Sequence, residues 1–162
     1  MAHTRPAAGS HRPLVLGLGN PILGDDALGW HVARALAAEV DPEVVEVDCQ
    51  TLGGLALMER VAGYRDVLLL DAVVSGAPPG TVLSLPARDL GARLSCHAAC
   101  AHDLTLTAAL DLGRALGLAL PSRLWLVGVE ARPRFEFSER ISDEIAHALP
   151  RAIDAARAWL RG

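Results

Sequence analysis

The sequence has no lysine; all 15 of its basic side chains are arginine. Alanine is abundant alongside, so this is compositional bias and carries no functional reading. An excess of positive charge is also missing. The net charge is −4, which removes the electrostatic basis for nonspecific attachment to nucleic acid or to an anionic membrane. No apolar run reaches the length needed to cross a bilayer. Residues 1–13 lack the apolar stretch of a signal peptide. They read as a loose polar tail, and the expected location is cytoplasmic. Cysteine is scarce and odd in number, with three copies, which argues against a disulfide framework.

Two standard sites are missing as well. A dinucleotide fingerprint needs glycine where Ile22 stands, so G-x-G-x-x-G is incomplete. Asp48, at the end of an expected strand, would suit a ribose-binding acid but does not rescue that reading. No G-x-S-x-G nucleophile elbow occurs.

What is present suits one α/β domain. The 162 residues are 51% hydrophobic and 21% charged, enough for a well-buried core. After the tail of residues 1–13, residues 14–162 read as a single domain without internal repeat or linker. Strands are expected over 14–19, 44–48, 66–73, 81–85 and 124–129. The run Val67-Leu68-Leu69-Leu70 suits a strand buried on both faces, as parallel sheets require. Helices are expected over 26–40, 52–61 and 103–116, with a last one from Ser142 to about 160. Leu28, Val32, Leu36 and Val40 form one helical face; Leu55, Met58 and Val61 are candidate core residues. Ser142 reads as an N-cap, followed by Asp143 and Glu144 at the positive helix end. The connection after residue 74 is too short for a helical crossover, so strand 81–85 is expected to be antiparallel or at the edge. Residues 86–101 read as irregular. The expected architecture is a mostly parallel five-stranded sheet with helices on both faces. Sites in such folds lie beyond the carboxyl ends of strands, where strand order reverses.

The stretch Gly17-Leu18-Gly19-Asn20-Pro21-Ile22-Leu23-Gly24-Asp25-Asp26 carries most of the chemistry. A glycine turn between strand and helix usually cradles an anion. Two adjacent aspartates repel phosphate and attract a cation instead. Asp26 reads as a metal ligand or a helix cap, and Asp25 as a cap or a support behind the ligand. Asp71 ends a buried apolar run, where a carboxylate is costly unless paired or metal-bound. His102 opens a helix, and neutral imidazole is a common ligand for borderline metals. Two carboxylates and an imidazole suit nickel, zinc or cadmium with positions left open. A rival cluster is Cys96, His97, Cys100 and His102, which matches zinc by ligand type but packs all four into one segment. His97 is the fallback for His102.

These segments resemble the hydrogenase maturation proteases. Gly17-Leu18-Gly19-Asn20-Pro21 with Gly24-Asp25-Asp26-Ala27-Leu28-Gly29 resembles the opening motif of that family. Leu69-Leu70-Asp71-Ala72-Val73 is similar to its second acidic motif, and His102-Asp103-Leu104-Thr105-Leu106 to its histidine motif. Val127-Gly128-Val129-Glu130 and Ile141-Ser142-Asp143 resemble its C-terminal signature. The resemblance implies a phosphorylase/hydrolase-like α/β fold and an endopeptidase of the aspartic-type class. It further implies removal of the C-terminal extension of a nickel-loaded hydrogenase large-subunit precursor. Asp26, Asp71 and His102 would contact nickel supplied by that substrate, and no organic cofactor is expected. A monomer is the simplest expectation. A related protease acting on a non-hydrogenase target is a further possibility, and two alternatives of other classes remain at this point. One is a nickel-sensing or chaperone domain that binds the precursor without cutting it. The other is a peptidyl-tRNA hydrolase, which shares Gly17-Leu18-Gly19-Asn20-Pro21 but needs a basic face.

Overall fold

Every residue of Leu14–Leu18 is buried, as its unbroken apolar run predicts, and this segment forms the first strand, β1. The computed structural model describes residues 12–89, 95–96, 105–132 and 137–162. Within them, β2 (Glu46–Gln50), β3 (Asp66–Val74), β4 (Val82–Pro86), β5 (Ser95–Cys96) and β6 (Arg123–Glu130) follow β1. The helices are α1 (Leu28–Ala37), α2 (Gly54–Val61), α3 (Leu106–Ala115) and α4 (Asp143–Leu160). Five strands lie in the order β2-β1-β3-β6-β4. β1 pairs in parallel with β2 and β3, and β3 in parallel with β6. β4 runs antiparallel to β6 at the edge, as the short connection before it predicts.

Helices cover both faces. α1 and α4 pack on one, through Leu28, Val32, Leu36, Ile145, Ala148 and Ala152. α2 and α3 cover the other, through Leu57, Val61, Met58, Ala109 and Leu110. Each large apolar side chain withdrawn fully from water contributes on the order of 1.5–3 kcal/mol. A close approach of α1 to the sheet depends on Gly29. A Cβ there would collide with the carbonyl oxygens of Leu18 and Leu70.

Several local expectations are corrected. The helix expected over 26–40 begins as a 3₁₀ turn, Gly24–Ala27, and is α-helical only over Leu28–Ala37. Val40 lies beyond its end yet still packs on the core. The second strand starts at Glu46, leaving Val44 exposed. α2 starts at Gly54, and Leu55 faces solvent while Leu57 takes the core position. Residues 86–101 are not wholly irregular: Ala87–Asp89 is a 3₁₀ turn and β5 is a strand. α3 begins at Leu106, capped by the Thr105 side chain, which accepts from the Ala108 amide; residues 103–104 lie outside the described residues.

The register of β3 matters most for the site. On its β6 side, pairing is continuous from Asp66 to Val73. On its β1 side, parallel pairing stops at Leu70, opposite Gly17. Antiparallel pairing with β5 begins at Val73, opposite Cys96. Asp71 and Ala72 therefore stand at a gap between two strands. The gap lies at the carboxyl end of β1, where the chain order reverses between β2 and β3.

Candidate functional site

The turn from Gly19 to Ala27 is built around the Asp26 carboxylate. Asn20 donates its amide to Asp26 Oδ2 at 2.6 Å. The Asn20 side chain accepts from the Ile22 amide at 3.2 Å, and its carbonyl from Leu23 at 3.1 Å. Gly19 adopts φ +124° where its Cβ would collide with the Asp26 carbonyl. Thr51 holds the Gly19 carbonyl through a 2.9 Å hydroxyl bond. Asp26 is half-buried at the carboxyl end of β1, and its turn packs against β3.

Asp25 has a different task from its neighbour. It is buried, and its carboxylate accepts the amide and hydroxyl of Ser142. The Ser142 hydroxyl in turn accepts from the Ile145 amide, as an N-cap does. Asp25 thus braces the start of α4 rather than capping the helix that follows it.

Asp71 is completely buried. The alternation of β3 sets it on the face of Leu69 and Val73, toward α2 and α3. Asp26 and Asp71 therefore come from the adjacent ends of β1 and β3, as neighbouring strands predict. Beyond Asp71 the chain is held by Glu130, a buried carboxylate at the end of β6. Glu130 accepts the Ser75 amide at 2.8 and 3.0 Å, the Ser75 hydroxyl at 2.6 Å and the Gly76 amide at 2.9 Å. In the sequence, Glu130 stands out only as the end of the Val127-Gly128-Val129-Glu130 motif. Its place at the end of a parallel strand was the available signal.

His97, Cys100 and His102 lie outside the described residues, and Cys96 is placed only by its backbone in β5. Among the described residues, no three His, Cys, Asp or Glu side chains cluster as a metal site. Asp48 accepts from Arg60 at 3.0 Å, within a network that includes Glu46 and Tyr64. That makes it a structural acid. Burial raises the Tyr64 hydroxyl above its usual range, and burial likewise raises the Cys49 thiol. A cavity of about 400 Å³ lies between α3 and the start of β6, and neither Asp26 nor Asp71 lines it.

The family model described as hydrogenase maturation protease matches residues 30–159. The chain is 31% identical over 151 residues to the hydrogenase 2 maturation protease of Escherichia coli (strain K12), covering 90% of this chain and 91% of that one. Its fold superposes on the hydrogenase maturating endopeptidase HybD from E. coli with a TM-score of 0.78 and 30% identity, over 93% and 92% of the two chains. A hydrogenase 2 maturation peptidase from a Thaumarchaeota archaeon matches with a TM-score of 0.66 and 28% identity, over 92% and 97%.

Proposed function

The chain belongs to the hydrogenase maturation protease family, and from that premise we propose how this endopeptidase meets its substrate. It removes the C-terminal extension of a hydrogenase large-subunit precursor after nickel has been inserted. Asp26, Asp71 and His102 complete the coordination of the nickel that the precursor carries. This fixes the cleavable segment beside the metal, which polarises its carbonyl or activates water for hydrolysis. A precursor without nickel offers no such handle, so cleavage reports correct loading. The enzyme works as a cytoplasmic monomer; no described helix is long and apolar enough to cross a membrane.

One observation carries this reading. Asp71 stands at the gap where β3 leaves β1 and joins β5, beside the turn that presents Asp26. The described flanks of the histidine segment fit the same place. β5 pairs with Val73–Val74, and Leu106 at the start of α3 packs on the layer that Asp71 faces.

The test is cleavage of purified precursor, nickel-loaded and nickel-free, by wild type, Asp26→Asn, Asp71→Asn and His102→Ala. Circular dichroism confirms that each variant folds. The expected result is cleavage of the loaded precursor by wild type alone. Calorimetric titration with Ni²⁺ supplies a second readout: binding lost in Asp26→Asn but kept in Cys96→Ser assigns the contact to the three-residue set. A wild-type enzyme that leaves a loaded cognate precursor intact refutes the reading. A stable complex without cleavage assigns a chaperone role instead.

A further inference from the structure

The turn that carries Asp26 holds a large apolar side chain in water, and a distant segment sets a second beside it. Ile22 is 48% exposed and Phe137 is 83% exposed. Ser138 donates its amide to the Ile22 carbonyl at 3.0 Å, and Gly24 donates to the Ser138 carbonyl at 2.6 Å. These bonds make a parallel bridge between Leu23 and Ser138. Ile22 and Phe137 each stand one position before a bridged residue, on the two segments that the bridge brings together. Single exposed apolar residues are ordinary on any protein. Two on segments that the backbone joins, one of them in the turn that carries Asp26, offer a surface.

That surface is presented by fixed backbone. The Ile22 amide is held by Asn20 Oδ1. Ser138 Oγ accepts from the Arg140 amide at 3.0 Å and lies 3.1 Å from the Arg140 carbonyl. Such a contact loses little conformational freedom when a partner binds. Among the described residues, its exposed charged neighbours in sequence, Glu139 and Arg140, are of opposite sign.

We infer that Ile22 and Phe137 form a lip that receives an apolar side chain of the precursor, next to the bond to be cut. The inference rests on the endopeptidase reading above. Its basis is continuity: Ile22 lies two residues beyond Asn20, whose amide binds the Asp26 carboxylate.

The test compares wild type, Ile22→Ser, Phe137→Ser and the double variant for affinity to immobilised, nickel-loaded precursor, with cleavage kinetics in parallel. Leu112→Ser/Leu116→Ser is the control, because these side chains are also exposed, on α3. All four changes are at the surface, so the fold survives them. The double variant is expected to bind about fivefold more weakly or worse, with KM raised alike, kcat unchanged and the α3 control unaffected. Equal affinity, a loss confined to kcat, or the same loss in the α3 control overturns the inference. If wild type binds the precursor without cutting it, the endopeptidase reading fails, while the affinity comparison still decides the lip. A wild type that does not bind at all overturns both. A wild-type dimer that dissociates in the double variant, with precursor affinity kept, assigns the lip to a second copy of the chain and overturns it too.

Discussion

Ser142 donates its amide and its hydroxyl to the Asp25 carboxylate, at 2.6 and 2.9 Å, across 117 positions of sequence. Ser142 caps α4, and Asp25 lies in the 3₁₀ turn ahead of α1. A carboxylate at this end of a helix is favoured by the helix dipole. The bond therefore ties the turn that presents Asp26 to the last helix of the chain.

This pair should behave as one unit in a double-mutant cycle. Asp25→Ala leaves the half-buried Ser142 amide without its charged acceptor, at a cost of about 1–3 kcal/mol. Ser142→Ala removes an N-cap, at about 1 kcal/mol. Because the two share their bonds, the double variant should cost less than the sum. Urea unfolding of the four proteins measures this. Strict additivity would show that the two residues act independently.

Glu130 should be hard to replace, because one carboxylate serves two amides and a hydroxyl. Glu130→Ala leaves these donors without an acceptor and should cost about 3 kcal/mol. Glu130→Gln keeps a single acceptor oxygen and should cost roughly half as much. Amide exchange at Ser75 and Gly76 should speed up in both. Protection unchanged in Glu130→Ala would mean the loop after β3 is held by other contacts.

The sheet was legible because its strands are covered on both faces. Burial of β3 on both sides leaves the continuous run Val67-Leu68-Leu69-Leu70 in the sequence, and the turn chemistry after residue 74 announces β4. Asp26 and Asp71 stood out because a carboxylate breaks an apolar pattern. The roles of Asp25 and Glu130 did not, because their partners lie 117 and 55 positions away. Periodicity reports only which way a local side chain faces. The same limit explains Leu55: its apolar character suggested a core position, yet starting α2 at Gly54 turns Leu57, Met58 and Val61 inward instead. β5 was missed because two residues are too few to show alternation.

Gly19→Ala should damage the site more than any nearby surface change. The backbone there has φ +124°, and the added methyl would strike the Asp26 carbonyl. Strain of this kind costs about 1–3 kcal/mol, and the collision adds to it. The turn can relieve it only by moving Asp26. Precursor cleavage should therefore fall even at temperatures where the variant is fully folded. Full activity in a folded Gly19→Ala variant would show that the placement of Asp26 tolerates this shift.

The Glu39–Arg157 pair should give the stability a defined acid limb. Arg157 donates to both Glu39 oxygens and holds that carboxyl below its usual value of 4.5. The folded state thus binds the Glu39 proton less readily than the unfolded chain does. The sign follows: the pair contributes fully above pH 4.5 and loses its contribution as pH falls through the lower folded value. Glu39→Gln should therefore have a lower Tm than wild type near neutral pH, with the gap closing in acid. Both groups are partly exposed, so the gap should be small and shrink in salt. Scanning calorimetry of the two proteins between roughly pH 3 and 7 checks this. A gap that stays constant across that range would mean Glu39 stabilises α1 against α4 by packing rather than by charge.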